Sequence, residues 1–148
     1  MTAIVQALDD RVSVAGQLEP DDMRDVAAAG FIAVVNNRPD REALFGQPRT
    51  ADLKQAAEAA GMIFLDLPFS GPRASPDQVR ALAELLAAHD GKILAFCKSG
   101  MRSALLWGAA AMAGGKSLEE VLNAARSAGQ NLDAARDVMT ALAAQAGG

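Results

Sequence analysis

A three-layer α/β fold, with a mostly parallel central sheet flanked by helices, is what this sequence predicts. Short apolar runs recur at Phe31–Val35, Met62–Leu65 and Ile93–Phe96. They are continuously hydrophobic rather than alternating, which is the pattern of parallel strands buried on both faces. Segments with helix start and stop signals lie between them, so the order reads βαβαβαβ followed by extra helices.

Taken in order, Arg11–Ala15 alternates apolar and polar residues and suits an edge strand. A helix starts near Pro20 and stops at Gly30, with proline at its start and glycine at its end. The Phe31 run follows, then a helix from Thr50 to Gly61 and the Met62 run. Ser75-Pro76-Asp77-Gln78 is a capping box, and it opens a helix with Val79, Leu82, Ala83 and Leu86 on one face. After the Ile93 run come a helix at 103–113 and a second capping box, Ser117-Leu118-Glu119-Glu120. Leu132, Ala135, Val138, Met139 and Leu142 form the last apolar stripe. There is no internal repeat, the only loose tail is Gln145–Gly148, and a single domain over 1–148 is expected.

Composition narrows the function. A net charge of −4 argues against nucleic acid or anionic lipid as the main partner. The single cysteine, Cys97, cannot form an internal disulfide, and with the single histidine, His89, it makes no zinc cluster; neither metal nor cofactor is expected. Asp9 and Asp10 stand where a secretory leader would be basic and then apolar. The uncharged stretch Ser103–Gly115 falls well short of the ~20 residues that span a bilayer. A cytoplasmic protein with no membrane or nucleic-acid partner is the expectation.

Chemistry concentrates at Cys97-Lys98-Ser99-Gly100-Met101-Arg102-Ser103, between the end of a strand and the start of a helix. A lone cysteine is ordinarily a buried, inert residue. This setting reverses that preference. Gly100 lets the backbone turn its N–H groups inward as an anion nest, the helix dipole favours a thiolate, and Arg102 adds a fork of donors for an oxyanion. Ser103 or Ser99 can donate to the thiolate or simply cap the helix.

Parallel sheets place ligands at the carboxyl ends of their strands. The loops there are Asn36–Asp40, Pro68–Arg73 and the cysteine loop, so Arg38, Arg73, Lys98 and Arg102 would share one rim. A cationic rim on an acidic protein points to a small anionic substrate. Arg73 reads as a solvated loop charge, His89 as a helix cap meeting the last carbonyls, and Trp107 and the methionines as core. Asn37 and Arg38 either line the pocket or belong to a hydrogen-bonded turn, with Arg38 the better pocket candidate.

The strand–loop–helix resembles those of cysteine phosphatases and of rhodanese-like sulfurtransferases. Four residues separate Cys97 from Arg102. Phosphatase loops typically have one more, and rhodanese-type loops commonly have this shorter length. The tighter ring favours a single terminal sulfur over a phosphoryl group.

The wider sequence, over about residues 11–113, resembles the phosphatase-like domain of beta-lactamase-hydrolase-like proteins, also described as a bacterial sulfurtransferase family. Gln17-Leu18, Val35-Asn36-Asn37-Arg38-Pro39-Asp40, Gly46-Gln47-Pro48 and the run from Cys97 through Trp107 carry that resemblance. It implies a dual-specificity-phosphatase-like fold and persulfide chemistry, with a separate persulfide dioxygenase as partner, since some members are fused to one. Two departures stand out. Phe96 occupies the position where phosphatases commonly have histidine. The loop after Leu67 lacks the aspartate that would protonate a leaving oxygen, and Asp66 reads as a structural acid at a strand end.

The reading from sequence is therefore a sulfurtransferase with rhodanese-like activity. Cys97, Arg102 and Ser103 form its catalytic set, and Lys98, Ser99, Gly100, Met101, Arg38 and Asn37 line its substrate site. The donor is a small anion such as thiosulfate or a low-molecular-weight persulfide, and the acceptor is a thiol, sulfite or cyanide. The alternatives are a dual-specificity-like phosphatase using a Cys97 phosphocysteine and a non-catalytic anion or persulfide sensor.

Overall fold

The computed structural model describes Met1 and residues 3–147. Its strands are β1 (Val5–Ala7), β2 (Val12–Ala15), β3 (Phe31–Asn36), β4 (Ile63–Asp66) and β5 (Lys92–Phe96). Its helices are α1 (Met23–Ala28), α2 (Thr50–Ala59), α3 (Pro76–Ala88), α4 (Met101–Ala113), α5 (Leu118–Ser127) and α6 (Arg136–Gly147). The strands form one sheet in the order β1-β2-β5-β3-β4, parallel except for β1.

Successive residues of the inner strands point to opposite faces. Val12, Val14, Ala33, Val35, Ile93 and Ala95 enter a core roofed by α3, α4, α5 and α6. Ala15, Val34, Leu94 and Phe96 enter a smaller core with residues of α1 and α2. This is the three-layer arrangement read from the apolar runs, because each inner strand needs hydrophobic residues in both registers. The two capping boxes form as expected, Ser75 accepting from the N–H of Gln78 and Ser117 from that of Glu120, both at 3.1 Å.

Several details correct the sequence reading. The strand expected at an edge, β2, lies inside the sheet with all four residues buried. The edge is taken by β1, a three-residue strand too short and too exposed to leave an apolar signature. Conversely β4, expected to be buried, is the other edge, with Ile63 and Asp66 exposed. The segment after Pro20 begins as a 3-10 turn (Pro20–Asp22) before α1. At the end of α3 it is the Arg11 guanidinium, donating to the carbonyls of Leu86, His89 and Gly91, that meets the last carbonyls. Arg11, immediately before β2, is long enough to reach them.

Candidate active site

The register of the sheet brings four loops to one level. Asn36 pairs with Phe96 on one side and Asp66 on the other, while Ala15 pairs with Phe96 across β2. The chain therefore leaves the sheet at Gly16, Asn37, Leu67 and Cys97 along a single carboxyl edge. Backbone bonds tie the exits together: Asn37 N–H donates to Phe96 C=O at 2.9 Å, and Leu67 N–H to Asn36 C=O at 2.8 Å. Gly16 packs against the cysteine loop so closely that a Cβ there would sit 3.0 Å from the Lys98 carbonyl.

Cys97 is fully buried at the base of this edge. The N–H of Gly100 donates to its sulfur at 3.1 Å. Gly100 can do this because its φ of 94° is left-handed, a conformation open to glycine, and it also forms the N-cap of α4. The dipole of a thirteen-residue helix thus points at the thiol from the expected direction. Among the described residues no cluster of three or more His, Cys, Asp or Glu side chains could hold a metal ion.

Beside the cysteine loop lies an open cleft of about 430 Å³ lined by Arg38, Glu42, Ala43, Gly71, Lys98 and Arg102, with the buried Cys97 not among its lining residues. Arg38, Lys98 and Arg102 come together as expected from the strand ends. Arg73 does not join them and stands exposed on its own turn. Met101 is half-exposed at the start of α4, and Ser99 is exposed with its carbonyl accepting from Gln130 Nε2 at 3.1 Å.

Two residues assigned to the site have structural partners instead. The Ser103 hydroxyl donates to Asn37 Oδ1 at 2.8 Å, and Asn37 Nδ2 donates to the Leu67 carbonyl at 2.9 Å. An amide whose nitrogen faces a carbonyl must turn its oxygen toward a donor, so the single Ser103 proton is committed there. Ser103 is therefore not the donor to the thiol, nor does it cap the helix. Asn37 is fully buried beneath the cleft and joins the loop after β4 to α4. Asp66 accepts from Asn36 Nδ2 at 2.8 Å, the structural role expected of it.

The residue missed from sequence is Glu42. Its carboxylate takes two hydrogen bonds from Arg102, at 2.6 Å and 2.9 Å, and one from Arg38 Nε at 2.9 Å. Arg102 also donates to the Phe69 carbonyl, and Arg38 to Gln17 Oε1. The Arg102 hydrogen bonds, assisted by Arg38 and opposed by partial burial, hold the Glu42 carboxyl down at about 2. The same pairing raises Arg102 above its ordinary value, with the nearby Cys97 sulfur adding to it and burial opposing. Glu42 follows Arg38 by four positions, a spacing that signals a pair only on a helix, and this segment is a loop. Gln17 and Gln130 reach the site from the ends of β2 and α5, where single glutamines give no sequence signal.

The family described as beta-lactamase hydrolase-like protein, phosphatase-like domain, matches residues 5–115. Beta-lactamase hydrolase-like proteins of Agrobacterium fabrum and Xylella fastidiosa are 37% and 29% identical over 100 residues. That stretch is 68% of this chain and 23% of each of those proteins, so the chain spans under a quarter of the curated relatives it matches. A candidate phosphatase from Neisseria meningitidis superposes with a TM-score of 0.80 at 31% identity, over 93% of this chain and 96% of that one. The active form of Tk-PTP gives a TM-score of 0.76 at 23% identity, covering 97% and 99%, and shows the shared fold. Among the described residues no helix is long and apolar enough to cross a membrane.

Proposed function

This chain belongs to the phosphatase-like domain family of beta-lactamase hydrolase-like proteins, and on that premise we propose that Cys97 is a covalent carrier of sulfane sulfur. At the coarser level the domain is phosphatase-like in family and fold, and the comparisons favour phosphatase chemistry over sulfur chemistry. The finer reading is carried by one observation. Among the described residues the only carboxylate lining the cleft, Glu42, is held ionised by two arginines and has no proton to give. The Pro68–Arg73 segment contains no acid at all. A phosphate ester with a poor leaving group needs a proton donor, whereas a thiolate leaving from a persulfide does not.

In this reading the Cys97 thiolate attacks the outer sulfur of a persulfide R–S–SH. The new Cys97 Sγ–S bond forms as the donor S–S bond breaks, and the electron pair leaves with R–S⁻. Sulfite, cyanide or a thiol then takes the outer sulfur and the thiolate is restored, a two-step covalent transfer with no net oxidant required. Gly100 N–H steadies the sulfur, and Arg102, Arg38 and Lys98 draw the anionic donor and acceptor to the cleft.

The second reading, favoured by the comparisons, is a phosphatase in which Cys97 attacks phosphorus. Without a proton donor at the cleft it would act on esters with good leaving groups, such as aryl phosphates. Intact mass after exposure to glutathione persulfide, beside Cys97→Ser, separates the two. One added sulfur on the wild type alone, lost again to sulfite or cyanide, supports sulfur transfer. No adduct, together with Cys97-dependent release of a phenol from an aryl phosphate, replaces that reading with the phosphatase.

A further inference from the structure

We propose that Glu42 tunes the charge selectivity of the cleft, weakening its hold on doubly charged anions more than on singly charged ones. Its position is built rather than incidental. Arg41, immediately before it, has a φ of 63° and is the only non-glycine in the left-handed region among the described residues. Such a conformation is disfavoured for an L-residue, and here it precedes the turn that brings Glu42 to the cleft. The Gln47 side chain staples the same loop, accepting from Ala43 N–H at 3.0 Å and donating to the Pro39 carbonyl at 2.7 Å.

Glu42 then occupies the two terminal nitrogens of Arg102 and the Nε of Arg38, while Gln17 takes Arg38 Nη1. That is the bidentate grip an oxyanion would otherwise use. It also leaves three cations, Arg38, Lys98 and Arg102, offset by one carboxylate around a single cleft. Repulsion from Glu42 grows in proportion to the charge of the incoming ligand. A persulfide end, cyanide or a thiol carries at most one charge, whereas thiosulfate, sulfite and a phosphate monoester near neutral pH carry about two, so Glu42 weighs against the latter group. The inference deepens the proposed function and rests on its reading of this cleft as the anion site.

The test is a titration of the full chain at low ionic strength, followed at the backbone amides of Gly100 and Arg102 by nuclear magnetic resonance. Thiocyanate serves as the monoanion and sulfate as the dianion, with wild type compared to Glu42→Gln. With Glu42 about 5 Å from the ligand in a water-like dielectric, removing its charge tightens thiocyanate about fourfold and sulfate about sixteenfold. The signature is that the sulfate factor approximates the square of the thiocyanate factor. Equal factors, or weaker binding by the variant, would mean that Glu42 only fills space or orients Arg102, and would overturn the inference while leaving the anion site intact. No binding of either ion to either protein would overturn the reading of the cleft as well. Glu42→Ala provides the same comparison should Glu42→Gln fold poorly.

Discussion

Ser103→Ala removes one hydroxyl from a site in which, among the described residues, every buried side-chain nitrogen and oxygen has a partner. The loss strands Asn37 Oδ1, on a residue with no exposed surface, without its donor. A buried acceptor left unpaired costs about 1–3 kcal/mol. For a domain of this size that lowers the melting temperature by about 2–10 °C. Asn37→Ala breaks both the Ser103 and Leu67 hydrogen bonds and opens a small void, about 2–4 kcal/mol. Because the two changes delete the same bond, the double variant loses less than the sum, by about 1 kcal/mol. Urea midpoints at matched slope measure this. Additivity to within about 0.3 kcal/mol would show that the hydroxyl is not on Asn37. Cys97 is the only thiol, so the pH profile of its alkylation reads that site alone. Ser103→Ala leaves the profile unmoved if the proton is committed to Asn37, and a clear displacement would make Ser103 the sulfur's donor and refute the assignment.

Other outcomes follow from the same geometry. Gly100→Ala places a left-handed φ on an L-residue and a Cβ 2.8 Å from Gln130 Nε2, so a loss of about 1–2 kcal/mol is expected in thermal unfolding; an unchanged melting temperature would contradict the cap geometry. Glu42 has its carboxyl lowered from 4.5 to about 2 in the folded chain, so its contribution is present above the unfolded value and is lost as pH falls between them. The wild-type urea midpoint should therefore drop more steeply than that of Glu42→Gln from pH about 4.5 to about 2, and parallel curves would count against the arginine pairing. Gly108→Ala in α4 would bring a Cβ 2.6 Å from Met139 Sδ and 2.9 Å from Val121 Cγ1. The overpacking, about 1–3 kcal/mol, exceeds the roughly 1 kcal/mol gained in helix propensity, so calorimetry should show net destabilisation; a higher melting temperature would mean that α5 and α6 yield.

The layers were legible because they follow from burial. Val34 and Val35, adjacent in sequence, face different cores, and only a strand covered on both sides tolerates that. Edges were not legible. Arg11–Ala15 alternates like a half-exposed strand, yet Ser13 is buried because β1 pairs beyond it, and nothing in Val5–Ala7 announces a strand. At the site, Cys97, Gly100, Lys98 and Arg102 could be placed because a strand end and a helix start fix a loop between them. The Ser103–Asn37 hydrogen bond was not legible, since which neighbour receives a hydroxyl proton depends on a residue 66 positions away. Glu42 was invisible because a loop, unlike a helix, carries no periodicity that pairs it with Arg38 or Arg102.

That invisible carboxylate ties the chemistry of the site to its stability. Arg38 and Arg102 have side chains only 7% and 14% exposed, and cations so enclosed need a partner before any substrate arrives. Glu42 supplies it, and by the same contacts stays ionised near neutral pH. A residue that must stay ionised to hold two arginines cannot also protonate a leaving oxygen. The proposed preference for a sulfur leaving group and the proposed discrimination against double charge thus have one origin, the pairing that lets two arginines gather beside a buried thiol.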